Sequence, residues 1–341
     1  MKAHFAEALH PSHDPADPAD PAAGKRRTRL PASMTRAASA LPGVLMLLIV
    51  IGLNAHLQPD FFSADSLSSN VQNAAPVILI CMAQAVVVLA GELDLSVGAG
   101  ISLINCALAG LPALAGWGTG ATCLAAFAIA LAAGVCNGML VGYFRQSALI
   151  ATFATSAIWF GVALLLMPQP GGTVPEVLGD WFAMRVGPIP VAAVPVIAAV
   201  VLWAVLQRHR FGRRLIATGS STEAVFKSGI DTRRVKLLAY MLAWLFVFGA
   251  ALCISAETAS GDARLGLPYT LNSVAAVVIG GISLAGGRGS MVGAICGALV
   301  LVLIGNVVYF AGIPSNYQEL FKGAVIVLAL GFTFIGARRS A

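Results

Sequence analysis

At 341 residues, 58% of them hydrophobic and only 11% charged, the chain has too little charge to clothe a water-facing surface, which excludes an ordinary soluble globular protein. Its net charge of +6 does not point to nucleic acid, because the basic residues gather at the ends of apolar runs, as in a protein oriented in a lipid bilayer. The six cysteines, Cys81, Cys106, Cys123, Cys136, Cys253 and Cys296, all lie inside apolar runs without the spacing of a zinc or redox pair, and read as small buried fillers.

Residues 1–40 stand apart from the rest. DPADPADPA (Asp14 to Ala22) is extended-prone and of low complexity, and KRRTR (Lys25 to Arg29) is basic, so a disordered cytoplasmic tail is expected. His10 and His13 lack further ligands and a rigid frame, and no metal or cofactor is expected in the chain. The first apolar run starts near Leu41 with no cleavage site after it, and is read as a span rather than a signal peptide.

A transmembrane domain is expected over residues 41–337, all-α and of about ten spans, some short or broken. The runs are Leu41–Leu57, Val71–Ala90, Val97–Leu114, Ala121–Tyr143, Ala148–Met167, Ile189–Leu206, Leu237–Ala256, Leu271–Leu284, Met291–Ala311 and Leu320–Ile335, of which the eighth is too short to cross as one straight helix. With the N-terminus inside, only Arg185, Arg264 and Lys322 of the 21 Lys and Arg fall on the outer side, so both termini are expected in the cytoplasm. The outer segment Pro168–Pro188, punctuated by Pro and Gly and carrying Trp181 and Phe182, suggests a short interfacial structure.

In GELDLSVG (Gly91 to Gly98) two carboxylates interrupt what would otherwise be continuous apolar helices. Charges at membrane depth are expensive and usually face a water-filled path or a partner. Asp94 can instead N-cap the third span, with Ser96 helping to satisfy free amides, and capping can coexist with solute contact. Glu92, Asp94 and Ser96 are therefore candidates for a translocation path or gate. Asn137 and Asn306 join them as polar residues in apolar spans, where interhelical hydrogen bonding is the stronger expectation.

The basic loop 207–236 contains SSTEAVFKSGI (Ser220 to Ile230). Ser220 and Glu223 have capping-box spacing and Gly229 is a natural C-terminal stop, so a helix of about two turns is expected, with Ala224 and Val225 packing and Lys227 in water. Ser220, Glu223, Ala224, Lys227, Ser228, Gly229 and Ile230 are candidates for contact with a motor subunit. GGISLAGGRGS (Gly280 to Ser290) lacks the Gly-Lys-Ser/Thr of a phosphate-binding loop, since Gly287 and Arg288 follow Gly286. Its glycines suit a tight turn and close helix approach instead.

In order, GELDLSVGA (Gly91 to Ala99), NGMLVGYFRQSALIATFAT (Asn137 to Thr155), RFGRRLIATGSSTEAVFKSGIDTRRVK (Arg210 to Lys236) and AAVVIGGISLAGGRGSMVGAICGAL (Ala275 to Leu299) resemble the sugar-type permeases of bacterial ABC importers. Members of that family carry ribose, xylose, arabinose, galactose or autoinducer-2, and the likeness runs over roughly Val71 to Leu330. The resemblance implies a non-enzymatic permease subunit of the inner membrane, paired with a second permease copy as homodimer or pseudo-dimer. It also implies separate cytoplasmic ATPase subunits, a periplasmic solute-binding protein, and 207–236 as the coupling loop. Many members carry Tyr-Glu-Leu-Asp where this chain has Tyr269, Thr270, Leu271 and Asn272, which permits a less hydroxylated solute such as a nucleoside, purine or amino acid. An ion-coupled secondary transporter is the rival class, but beyond Glu92 and Asp94 the spans hold almost none of the acids and bases it needs.

Overall fold

The computed structural model describes residues 32–187 and 189–314, with 317, 320, 321, 323, 324 and 327 beyond them. The histidines of the N-terminal segment and most of the tenth apolar run lie outside these residues. The described chain is a bundle of helices: α1 (Ala32–Leu57), α2 (Ala64–Leu89), α3 (Val97–Ala115), α4 (Thr119–Gly142), α5 (Ala148–Leu166), α6 (Glu176–Ala183), α7 (Ala193–Arg208), α8 (Arg210–Ser220), α9 (Thr222–Lys227), α10 (Thr232–Thr258), α11 (Leu267–Ile279) and α12 (Met291–Phe310). A two-residue hairpin of β1 (Arg185–Val186) and β2 (Ile189–Pro190) follows α6.

Seven of these helices are long and apolar enough to cross a membrane, and an eighth crossing results if α7 and α8, bent by 79° about His209, count as one span. The run expected from Ile189 to Leu206 begins as helix only at Ala193, because Ile189 and Pro190 are held in the hairpin and Pro190 cannot donate a helical bond. The run expected at Leu271–Leu284 is the 13-residue α11, begun earlier and stopped by glycine.

Glycine punctuates the helix ends by one repeated device. Gly91 (φ +84°), Gly229 (φ +78°), Gly281 (φ +79°) and Gly312 (φ +73°) each follow a helix in the left-handed conformation that only glycine adopts cheaply. At each, the glycine N–H and that of the next residue close back on the last turn, as in Gly91 to the Val88 carbonyl (2.9 Å) and Glu92 to that of Val87 (3.1 Å).

α10 is the axis of the bundle, packed most extensively against α4 and α2. In lipid the packing is won by close approach rather than by escape from water. Gly100 of α3 and Gly134 of α4 form the slot for the fully buried Trp244, since a Cβ at those positions would lie 2.4 Å and 2.9 Å from its side-chain atoms. α2 and α3 are enclosed on nearly all sides, whereas α1 and α5 present most of their surface outward, as lipid-facing helices do. One end of α10 lies beside α9 and the other beside α6, where the Ala256 carbonyl approaches Gly179, so the basic loop and the α6 hairpin mark opposite ends of the bundle.

Candidate functional site

The interruption between α2 and α3 is a buried polar knot. Asp94, Ser96 and Asn137 are fully buried. Asp94 Oδ1 accepts from the Ser96 backbone N–H at 2.8 Å and from its hydroxyl at 2.5 Å, and Oδ2 accepts from the Trp244 indole N–H at 3.0 Å. The Asn137 amide donates to Ser96 Oγ at 2.7 Å and, at 3.4 Å, to Asp94 Oδ2, while its own oxygen accepts from Thr155 at 2.8 Å. The exposed backbone of the break is satisfied as well: Tyr240 donates its hydroxyl to the Leu93 carbonyl (3.1 Å) and Leu95 N–H donates to Thr152 Oγ1 (3.0 Å). Non-helical backbone buried inside a bundle demands this accounting. The Asp94 carboxylate thereby ties the break to α4 and α10, and Thr152 and Thr155 tie it to α5.

The cap expected of Asp94 is not made. Ser96 holds the N-cap position of α3 with no side-chain cap bond, and the amide of Gly98 donates instead to Thr270 Oγ1 of α11 at 3.1 Å. A helix from elsewhere in the chain does the capping, which frees Asp94 to accept from Trp244. Glu92, mostly buried beside the knot, forms an ion pair with Lys236 at the start of α10. Asn306 donates to Asn70 Oδ1 at 2.6 Å, joining α12 to α2 away from the knot.

The basic loop folds as two helices. Ser220 ends α8 rather than starting the next helix; Ser221 is the N-cap of α9, its hydroxyl accepting from Ala224 N–H at 3.3 Å. Capping-box spacing placed the start one residue early because α8 runs through Gly219 to Ser220. Glu223 consequently pairs with Lys227 at 2.6 Å instead of reaching back to a cap. Val225 is buried and Ile230 half-buried, but Ala224, Lys227, Ser228 and Gly229 are exposed, as is 57% of Phe226. Ala224 thus differs from its expected packed position, and Phe226 is the outward apolar residue. Beside it Val141, Arg145, Thr222, Phe226, Arg233 and Lys236 line a groove of about 460 Å³.

Backbone contact joins this hook to the knot. A Cβ on Gly219 would lie 2.0 Å from the Leu89 carbonyl oxygen, and one on Gly286 would lie 2.5 Å from Gly91 Cα. The Gly287 N–H donates to the Leu89 carbonyl at 3.2 Å, and the Ser220 hydroxyl to that of Gly287 at 3.4 Å. The glycine loop after α11 is therefore a wedge between α8 and the end of α2, and Gly91 leads straight into the knot. The sequence reading singled out Asp94, Ser96 and Asn137, which the structure brings together. It missed Trp244, Tyr240, Thr152 and Thr155, whose only signal was a polar atom within an apolar helix.

A bundle of apolar helices long enough to cross a membrane, with an internally satisfied polar connection between α2 and α3, has the architecture of a polytopic membrane protein. The chain belongs to the family described as "Branched-chain amino acid transport system / permease component", which matches residues 67–330. It is similar to the ribose import permease protein RbsC of Escherichia coli (strain K12), at 31% identity over 84% of this chain and 91% of that protein. The RbsC of Bacillus subtilis (strain 168) is 32% identical over 84% of this chain and 89% of its own length. The galactose/methyl galactoside import permease protein MglC of Haemophilus influenzae is 27% identical over 84% and 91%. No solved structure matches.

Proposed function

We propose that the chain forms the translocation path of an ATP-driven importer for a neutral, hydroxyl-rich solute of monosaccharide size. In this reading two permease copies, homodimer or pseudo-dimer, meet two cytoplasmic ATPase subunits at the α8–α9 hook and a periplasmic solute-binding protein at the α6 end. The termini lie in the cytoplasm, and the tenth run completes a ten-span topology. The names of the relatives support the sugar. The observation that carries the mechanism is the glycine wedge: it puts the hook in backbone contact with the helix end that opens into the Asp94 knot, so a push on Phe226 and its neighbours is delivered to the connection between α2 and α3. Asp94, Ser96 and Asn137 then act as a latch at the gate, with Glu92 and Lys236 beside it, and Asn306 holds α12 to α2.

The test is reconstitution of the chain in vesicles with its ATPase and binding protein. Expected is ribose or galactose uptake that needs ATP and loaded binding protein, and that Phe226→Ala lowers without lowering the amount of protein in the membrane. Uptake driven by an ion gradient in the absence of the ATPase would refute the reading, and uptake of a branched-chain amino acid but no sugar would overturn the solute. Reporter fusions after Gly172 and Arg214 should report the outside and the cytoplasm respectively.

A further inference from the structure

Between α10 and α11 the chain leaves helical geometry while still inside the bundle. Asn105, at the midpoint of the 19-residue α3, donates to the Ser260 carbonyl (3.1 Å) and accepts from Asp262 N–H (2.8 Å). Ser102, one turn further in, accepts from Gly266 N–H at 2.9 Å. Residues 260–266 thus run along the middle of α3, about 15 Å from its far end by helix rise. Gly266 allows this approach, since a Cβ there would lie 2.0 Å from the Gly98 carbonyl oxygen.

This turn is only half covered. Gly261, Ala263 and Gly266 are buried, but Glu257, Thr258, Ser260 and Arg264 are exposed, and Asp262 and Asn272 are half-exposed. No ion pair among the described residues neutralises Arg264 or Glu257. Irregular backbone and uncompensated charge alongside a membrane helix do not face lipid; they face protein or a water-filled cavity.

We infer that the α10–α11 turn, with Glu257, Arg264 and Asn272, lines the aqueous path and forms the polar contact for a neutral polyhydroxylated solute in transit. Charges of both signs and an amide offer donors and acceptors together, which suits hydroxyl groups and disfavours a solute carrying net charge. The inference rests on the permease reading and adds to it a location remote from the Asp94 knot: the knot holds the span, whereas the turn meets the solute.

The test uses the complete transporter, with the half-buried Cys123 and Cys136 replaced by alanine. Arg264→Cys and Glu257→Cys are exposed to a membrane-impermeant sulfonate thiosulfonate and to an apolar maleimide, with Leu165→Cys on the outward face of α5, 83% exposed, as the lipid control. Expected is reaction of both turn cysteines with the charged reagent, none at Leu165→Cys, and a severalfold loss of sugar uptake on labelling Arg264→Cys. Reaction with the apolar reagent alone, or labelling that leaves uptake unchanged, overturns the inference. A spontaneous Arg264→Cys disulfide between two copies, with no reagent access, overturns it in favour of a permease–permease contact. Should the cysteine variants fail to reach the membrane, Arg264→Lys against Arg264→Leu decides: the path requires the lysine variant to keep most uptake and the leucine variant to lose it, and equal uptake refutes it. Absence of ATP-dependent uptake by the unsubstituted protein would instead sink the permease reading, so the two failures are distinguishable.

Discussion

Replacing Asp94 by Asn perturbs the knot without changing its volume. The carboxylate offers two acceptor oxygens, one facing both Ser96 donors and the other facing the Trp244 indole. An amide has a single acceptor oxygen, so one side then confronts donor with donor. If its oxygen stays with Ser96, its NH2 meets the Trp244 N–H and the Asn137 NH2, whose own oxygen is already committed to Thr155. A buried donor left without a partner costs about 1–3 kcal/mol. At about 2–4 °C per kcal/mol for chains somewhat smaller than this one, the unfolding midpoint in detergent should fall by several degrees. Trp244→Phe removes the indole donor, so the Asp94→Asn, Trp244→Phe double variant should lose less than the sum of the two, with a coupling of about 0.5–3 kcal/mol. Thermal unfolding of the four proteins, with uptake in vesicles at matched expression, measures this. Strict additivity, or an Asp94→Asn protein as stable and active as the unsubstituted one, would refute the knot as a working unit.

Other outcomes follow from the same geometry. Removing one partner of the mostly buried Glu92–Lys236 pair should destabilise more than removing both, so Lys236→Met should be partly rescued by adding Glu92→Gln, as thermal unfolding would show; Glu92→Gln alone should impair uptake less than Asp94→Asn. Gly219→Ala, whose Cβ would meet the Leu89 carbonyl, should cost about 1–3 kcal/mol by overpacking and lower uptake, while Gly52→Ala, with nothing within 4 Å, should change neither. Gly229→Pro breaks the left-handed stop of α9 and should abolish stimulation of ATP hydrolysis by loaded binding protein at normal membrane levels; unchanged stimulation would reduce the hook to a linker. Asn306→Leu should cost only about 0.6–2 kcal/mol in unfolding assays, because it removes one interhelical amide bond.

The sequence by itself determined what local physics dictates. Run lengths and hydropathy located the spans that became α1 to α5, α7, α10 and α12, and glycine placed the stop of α9 at Gly229, since left-handed backbone after a helix is nearly glycine's alone. The polar interruption at Asp94 was legible for the same reason: a carboxylate between apolar helices needs partners. Which partners it finds was decided by tertiary structure. The cap of α3 comes from Thr270, 172 residues away, and the second oxygen of Asp94 is satisfied by Trp244, 150 residues away. No periodicity encodes such distances. The N-cap of α9 at Ser221 rather than Ser220 turned on α8 running on to Ser220, whose hydroxyl meets the glycine wedge at the Gly287 carbonyl. Proximity, too, belonged to the fold: Asn105 and Ser102 hold the turn that carries Arg264 along the middle of α3, because position along a chain does not specify neighbours in space.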